Sequence, residues 1–220
     1  MNKKAISDVL VLFIVFWMSW YFKSLFPIEF QGAFVVLITS IASLIILKLR
    51  HLSLNDIGLI KRFVNKEFIK EVLYITLLIF GVQFVGILIT TVLFGSPEPG
   101  NAVLNQPQTL IGFLIDIIFM VWIITAIGEE FIFRGIILNR LQAIFKNSSS
   151  NFTIYLISGI QAVWFGMGHQ SQGISGIIVT GLIGFALGIY VLKNSKQGLF
   201  PLIVAHGLID TIVLTFYFIK

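Results

Sequence analysis

Long apolar runs recur along the whole chain, and their length restricts the folds that it can adopt. A helix that crosses a bilayer needs about 20 mostly apolar residues. Seven runs meet this requirement, and a further apolar run at 129–145 carries charges. Only 11% of the 220 residues are charged, which is too few to cover a water-exposed surface. The predicted spans are residues 5–22, 30–49, 71–94, 109–128, 152–169, 173–193 and 199–219.

These runs predict an all-α, polytopic transmembrane bundle of about seven to eight helices. The chain length fits a single integral membrane domain over residues 1–220. Cysteine is absent from the sequence, which excludes disulfides and thiolate-bound metals. The net charge of +5 does not indicate nucleic-acid binding, because the basic residues are concentrated in the loops between apolar runs.

The placement of the basic residues predicts the orientation of the bundle, since cytoplasmic loops are enriched in Lys and Arg. With seven spans and a cytoplasmic N-terminus, twelve basic residues lie inside, and only Lys23 and Lys220 lie outside. We expect the first run, which Asp8 interrupts, to be a retained signal anchor. The 50–70 segment is expected to lie on the inner leaflet as a basic connector. The inside residues are Lys3, Lys4, Lys48, Arg50, Lys61, Arg62, Lys66, Lys70, Arg140, Lys146, Lys193 and Lys196.

Glycines are concentrated between residues 159 and 188. Several have small-xxx-small spacing, such as Gly184 and Gly188. Small residues at this spacing let membrane helices approach closely, so the late helices are expected to pack tightly.

Charged residues inside an apolar helix mark the functional candidates, because each costs roughly 2.5–3.5 kcal/mol at the bilayer centre. Glu129, Glu130 and Arg134 lie close together in one such run. Glu130 and Arg134 are at i,i+4 with the acid first, the favourable order for an ion pair. Glu129 is rotated about 100° from Glu130 around the helix axis, so it cannot share Arg134 equally and must face other groups. It is therefore a candidate general base.

Two further polar clusters occur late in the chain. His169 lies near the end of the fifth span, and His206 and Asp210 share a face of the seventh. His169 fits an interhelical hydrogen bond as well as a functional role, and Asp210 fits a residue that only orients His206. Asp116 is a further intramembrane acid that could face the same cavity or make an isolated polar contact.

Helix depth connects Glu129 with His169. The polar loop 146–151 joins two apolar helices into a predicted antiparallel hairpin. Glu129 lies 16 residues before Phe145 and His169 lies 17 after Phe152, or about 24 and 26 Å at helical rise. In unbroken helices the two side chains return to the same level.

Three motifs with this spacing follow one another along the chain: Glu129-Glu130-x-x-x-Arg134, Phe165-x-x-x-His169 and His206-x-x-x-Asp210. Together they resemble the CAAX prenyl protease and bacteriocin-processing family of intramembrane proteases. The resemblance covers residues 129–210 and implies a catalytic core over 108–220. Residues 1–107 would supply N-terminal transmembrane helices and the basic loop. Glu130 and Arg134 would support the site.

The resemblance also implies roles for the remaining polar residues. Glu129 would act as general base on a water that His169 helps to position. His206 and Asp210 would stabilise the oxyanion or orient its donors. Many family members carry Asn at the position of Asp210. Since a carboxylate cannot donate a hydrogen bond, an aspartate here suits a role in orienting His206.

Metal dependence stays open at this point, because the family was first named for metalloproteases. Glu129, His169, His206 and Asp210 would be an acceptable ligand set for a divalent metal such as zinc. The sequence has no His-Glu-x-x-His pattern, and water activation by Glu and His needs no ion. We therefore favour a metal-free mechanism, with no certain cofactor.

The chain is thus expected to be an endopeptidase of a bacterial cytoplasmic membrane that cleaves short hydrophobic peptides or membrane-anchored precursors. One alternative is a non-catalytic membrane partner or a bacteriocin self-immunity protein, in which the polar cluster is a structural core. A secondary transporter is a third, but no two-half repeat is visible. The expected partners are the lipid bilayer and a peptide or membrane-anchored protein, and not nucleic acid.

Overall fold

The computed structural model describes residues 2–60, 63–95, 109–145, 150–194 and 198–219. These residues form seven helices and no strand, so the predicted all-α polytopic bundle is confirmed. Residues 96–108 lie outside the described residues, as do the basic residues Lys61, Arg62, Lys146, Lys196 and Lys220. The helices are α1 Lys3–Phe22, α2 Gln31–Leu49, α3 Lys66–Phe94, α4 Leu110–Ile144, α5 Asn151–Gly168, α6 Gly173–Lys193 and α7 Phe200–Phe218.

Short polar side chains cap the first turns of four helices. Asn2, Asn65, Thr109 and Ser150 each accept a hydrogen bond from the backbone N–H three residues later. Such a cap satisfies one of the free N–H groups that every helix N-terminus leaves. Three-residue 3₁₀ turns occur between the helices, at Lys23–Leu25, Ile28–Phe30, Asn55–Ile57 and Gln170–Gln172.

Six of the helices are long and apolar enough to cross a membrane: α1, α2, α3, α4, α6 and α7. The predicted span 152–169 is present as the helix α5, but α5 is not among the six. Its lower apolar content has a physical reason, because it carries Ser158 and Gln161 on a fully buried face. That face packs against glycines of α6, which leaves less of α5 to present to lipid.

The helix α4 is longer than predicted, since 109–128 and the charged run 129–145 form one continuous helix, Leu110–Ile144. Its middle part, Asp116–Ile137, has π-helical geometry, with ordinary α-helix over Leu110–Ile115 and Leu138–Ile144. π-helical geometry is uncommon, and short π-helical turns within α-helices are frequent at functional sites. All three charged residues of the first motif lie in this part.

The buried side chains form two main clusters. One joins α1, α2, α4 and α5, and the other joins α3, α6 and α7. The close approach of α5 to α6 depends on glycine, because a Cβ at Gly166 would lie 2.5 Å from the carbonyl oxygen of Ile177. The functional candidates lie on α4, α5 and α7, and so at the junction of the two clusters.

Asp8, which interrupts the first apolar run, is 3% exposed and bonded to Arg50 at the end of α2. Arg50 Nη2 lies 2.7 Å from Asp8 Oδ1, and Arg140 Nη1 of α4 lies 3.7 Å from Asp8 Oδ2. The carboxylate raises the pKa of Arg50 through this hydrogen bond. Asp8 thus ties α1 to α2 and α4 at the end of the bundle that carries the basic connector.

Candidate active site

Glu129 and Glu130 are consecutive on α4 but have different surroundings. Glu130 is fully buried, whereas Glu129 is partly buried. The two carboxylates are flanked by close helix contacts, since a Cβ at Gly128 would lie 2.5 Å from Val36 Cγ1 of α2. Gly128 therefore brings α2 against the turn of α4 that presents both carboxylates.

The Glu130 carboxylate holds two helices together. Its Oε1 accepts a hydrogen bond from Arg134 Nη1 at 3.2 Å, which is the ion pair that the i,i+4 spacing predicts. The same oxygen lies 2.9 Å from His206 Nδ1 on α7. The Arg134 guanidinium lies 4.3 Å from the centre of the Phe165 ring on α5, a cation–π contact. Residues of all three motifs thus meet around Glu130 and Arg134.

Both ring nitrogens of His206 face carboxylates. Nδ1 contacts Glu130, and Nε2 lies 3.4 Å from Asp210 Oδ2 one turn further along α7. A carboxylate only accepts hydrogen bonds, so each of these contacts uses an N–H of the imidazole. This double contact fixes the orientation of the His206 ring.

His169 lies at the C-terminal end of α5, immediately after Gly168. Its Nδ1 is 2.9 Å from the carbonyl oxygen of Phe165, and its ring packs against the Phe165 ring at 4.7 Å. Because a carbonyl only accepts, Nδ1 must be the donor. The Nε2 lone pair of the neutral ring is then available as an acceptor.

Glu129 interacts electrostatically with His169, His206, Asp210 and Arg134. Its Oε2 is buried and has no hydrogen-bond partner among the described residues. The candidates of the three motifs therefore lie within electrostatic range of one carboxylate. Asp116 is partly exposed and is not among the groups that interact with Glu129.

The arrangement of these donors does not fit a metal site. No group of three or more His, Asp or Glu side chains converges as a metal ligand set in the part of the chain that the structure describes. In particular, both nitrogens of His206 already face carboxylates. The predicted zinc ligands Glu129, His169, His206 and Asp210 are therefore not found as a metal-binding group among the described residues.

Residues 111–212 match the family model described as type II CAAX prenyl endopeptidase, Rce1-like. This segment, 102 of the 220 residues, is similar to the CAAX prenyl endopeptidase family. The resemblance drawn from the three motifs is thereby confirmed, and all of its motif residues lie inside the match. The family is one of endopeptidases, so the match indicates a protease, and the described residues contain six candidate membrane spans. No curated protein and no solved structure matches the chain.

Two features of this CAAX endopeptidase segment were missed from the sequence. One is the contact of Glu130 with His206, which are 76 residues apart. The other is Gly207, where a Cβ would lie 2.9 Å from the Trp122 ring. The small residue lets α4 and α7 approach beside His206. A glycine directly after a histidine in an apolar helix was the available signal.

Proposed function

We propose that this protein is an intramembrane endopeptidase in which Glu129 activates a water for attack on a peptide bond. The observation that carries the proposal is the Glu129 carboxylate, which interacts with both histidines and has a buried oxygen without a hydrogen-bond partner in the described chain. Glu130, by contrast, is bonded to Arg134 and His206. Glu130 Oε2 also has no partner among the described residues, but Glu130 Oε1 is held by both of these bonds, whereas no described residue hydrogen-bonds to Glu129, which is therefore the proposed proton acceptor.

The reaction needs one water and one proton carrier. Glu129 removes a proton from the water as its oxygen attacks the carbonyl carbon of the substrate. The His169 Nε2 lone pair accepts a hydrogen bond from the same water and sets its position. When the tetrahedral intermediate collapses, the C–N bond breaks and Glu129 returns the proton to the leaving nitrogen. The products are a carboxylic acid and an amine.

His206 is proposed to share its Nε2–H between Asp210 and the developing oxyanion. Asp210 Oδ2 lies 3.4 Å from Nε2, a long contact that leaves this N–H able to donate to a second acceptor. Glu130 holds the opposite side of the ring at 2.9 Å. A donor fixed in this way against an oxyanion contributes about 3–4 kcal/mol to the stabilisation of the transition state.

The mechanism requires no ion in its acid–base steps, and the donor set does not converge on a metal position in the described residues. Quantitative metal analysis of active, purified protein tests this proposal. A stoichiometric divalent ion that is needed for cleavage would contradict it.

The proposed substrate is a short hydrophobic peptide or a membrane-anchored precursor, cleaved at the inner leaflet of a bacterial cytoplasmic membrane. The apolar character of the proposed substrate is supported by the helices α4 and α7, which carry Glu129 and His206 and are long and apolar enough to span a bilayer. A soluble, polar peptide would have to leave water to reach Glu129, whereas an apolar segment already lies in the bilayer.

The proposal is tested by comparing secreted and membrane peptides from cells that express wild-type or Glu129→Gln protein at equal levels. The substitution keeps the size of the side chain and removes the base. Glu67→Gln is the matched control, because it makes the same exchange at a side chain that is 68% exposed. Peptides lost with Glu129→Gln and retained with Glu67→Gln are expected. Identical peptide sets with a stably inserted variant would contradict the proposal.

A further inference from the structure

A polar cavity lies along α4 on the C-terminal side of the candidate active site. This cavity, of about 100 Å³, runs along α4 from Gln142 and Asn139 back to Arg134. Its other walls come from the 3₁₀ turn Asn55–Ile57, the C-terminal end of α6 and the start of α7. A water occupies roughly 30 Å³ of liquid, so the cavity has room for about three waters.

The exposure of the lining residues changes along the cavity. Asn55, Asp56 and Asn194 at its mouth are exposed, while Leu138 and Arg134 are 1% and 2% exposed. The cavity therefore opens beside the basic connector and ends inside the bundle. Most of the mouth residues carry amide or carboxylate groups that hydrogen-bond to water.

The inner end of the cavity has free hydrogen-bonding capacity. Arg134 Nε and Nη2 are buried and have no partner in the described part of the chain. The third nitrogen, Nη1, is bonded to Glu130, which in turn contacts His206. A water that reaches Arg134 is thus one residue away from the carboxylate that orients the active-site histidine.

The charges around the cavity favour water over an anion. The positive charge of Arg134 is balanced by Glu130 at 3.2 Å. At the mouth, hydrogen bonds from the Ser53 backbone N–H and hydroxyl hold the pKa of Asp56 below its ordinary value, so Asp56 is negative at neutral pH. With no excess positive charge among the lining residues, a phosphate or carboxylate would meet repulsion.

We propose that this cavity is a hydrated inlet that supplies the active site with water from the connector side of the bundle. The inference rests on the proposed function, since an intramembrane hydrolase consumes one water in each turnover. The substrate would enter from the bilayer and the water through this inlet, so the two reactants reach Glu129 by different routes. The hydration of the inlet is measurable without any cleavage assay.

The absence of cysteine from the sequence makes single-cysteine labelling free of background. The probe is the silver ion, a charged reagent close to a water in size that binds the thiolate which a wet site permits. Thiols that remain free are counted after the protein is unfolded. Leu138→Cys reports the inner cavity, Leu54→Cys the exposed connector, and Ile118→Cys an apolar outer face that is 54% exposed. Val191→Cys, also on the cavity wall, replaces Leu138→Cys if that variant does not fold.

Leu138→Cys is expected to react within about tenfold of Leu54→Cys and at least about 100-fold faster than Ile118→Cys. A second substitution at the mouth, Asn194→Phe or Gln142→Phe, is expected to slow the labelling of Leu138→Cys by about tenfold. It is also expected to lower the yield of the Glu129-dependent peptides. Val92→Phe is the matched control, because Val92 is 84% exposed on α3, away from the cavity.

Labelling of Leu138→Cys as slow as that of Ile118→Cys would overturn the inlet. The inlet would also be overturned if Asn194→Phe or Gln142→Phe blocked labelling and left the peptide yield unchanged, because water would then reach the active site by another route. If Glu129→Gln alters no peptide, the proposed function fails, while the labelling rates still decide whether the cavity is hydrated.

Discussion

Glu129 and Glu130 are adjacent in sequence, but their carboxylates have different hydrogen-bond partners. Glu130 is bonded to Arg134 and His206, and its removal would disturb both α4 and α7. Glu129 is surrounded by polar groups of three helices, with a buried oxygen that no described residue binds. Glu130 Oε2 is likewise unbound in the described chain, so the two residues differ in the bonds that Glu130 Oε1 makes. The proposed function assigns the geometry to Glu130 and the chemistry to Glu129.

The part played by Asp210 leads to a prediction about its conservative replacement. Asp210→Asn is expected to keep cleavage within about tenfold of wild-type, because an amide oxygen accepts from His206 Nε2 in the same place. Asp210→Ala removes the acceptor and is expected to lower the rate by about 10²-fold, as for the loss of an oriented oxyanion donor. Peptide release by purified variants measures both. Equal loss in the two variants would show that Asp210 does more than orient His206.

Arg134 leads to a prediction about stability. Arg134→Met leaves Glu130 buried without its cation and is expected to lower the free energy of unfolding by about 3–5 kcal/mol. The double variant Glu130→Gln/Arg134→Met should recover much of this loss. Lys70→Met is the control, since its pair with Glu67 is exposed and is worth at most about 1 kcal/mol. Unfolding in denaturing detergent measures all three, and similar losses in Arg134→Met and Lys70→Met would refute the prediction.

The residue types of the site could be predicted from the sequence, but the contacts of several could not. Charges in an apolar run are costly, which singled out Glu129, Glu130 and Arg134. The i,i+4 pair of Glu130 and Arg134 follows from helix geometry alone. In contrast, the Asp8 and Arg50 pair joins residues 42 apart. Pairs of residues so far apart in sequence form only when the helices pack, so a local sequence pattern cannot predict them.

At the scale of the helices, the length of an apolar run predicts its position well. Both ends of α2 and α6 agree with the prediction to within a residue or two. The continuous α4 was not predicted, because the charges in 129–145 interrupt its apolar character without breaking the helix. The π-helical geometry of Asp116–Ile137 has no sequence signal that we recognise.

The α5–α6 contact gives the prediction at this scale. Gly166→Ala would place a methyl group 2.5 Å from the Ile177 carbonyl oxygen and 3.1 Å from the Gly181 Cα. Forcing the two helices apart is expected to cost about 1–3 kcal/mol. Gly159→Ala in the same helix meets nothing within 4 Å, so stability should stay unchanged or rise by up to about 1 kcal/mol. Thermal unfolding distinguishes the two variants, and a tolerated Gly166→Ala would contradict close packing of α5 on α6.

At the scale of the whole molecule, the orientation in the membrane is still a prediction. The basic residues place the N-terminus in the cytoplasm. If α5 crosses the bilayer together with the six long apolar helices, the C-terminus lies outside. If α5 does not cross, both termini lie on the same side. The side of the C-terminus therefore reports on α5.

A C-terminal fusion to alkaline phosphatase, which folds only outside the cytoplasm, is expected to be active. The same fusion to a fluorescent protein that matures only in the cytoplasm is expected to be dark. A fusion after Lys193, which removes α7, is the control and should reverse both signals. A fluorescent full-length fusion would contradict seven spans.

The central claim is that Glu129 is the base of a peptidase, and its most direct test uses purified protein in bilayers. Cleavage of a peptide that depends on Glu129 in cells is timed with wild-type, Glu129→Gln and Glu67→Gln protein. Glu129→Gln is expected to lower the rate by at least about 10²-fold, with an unchanged free energy of unfolding and with Glu67→Gln at the wild-type rate. Cleavage by Glu129→Gln at the wild-type rate would contradict the assignment of Glu129 as the base.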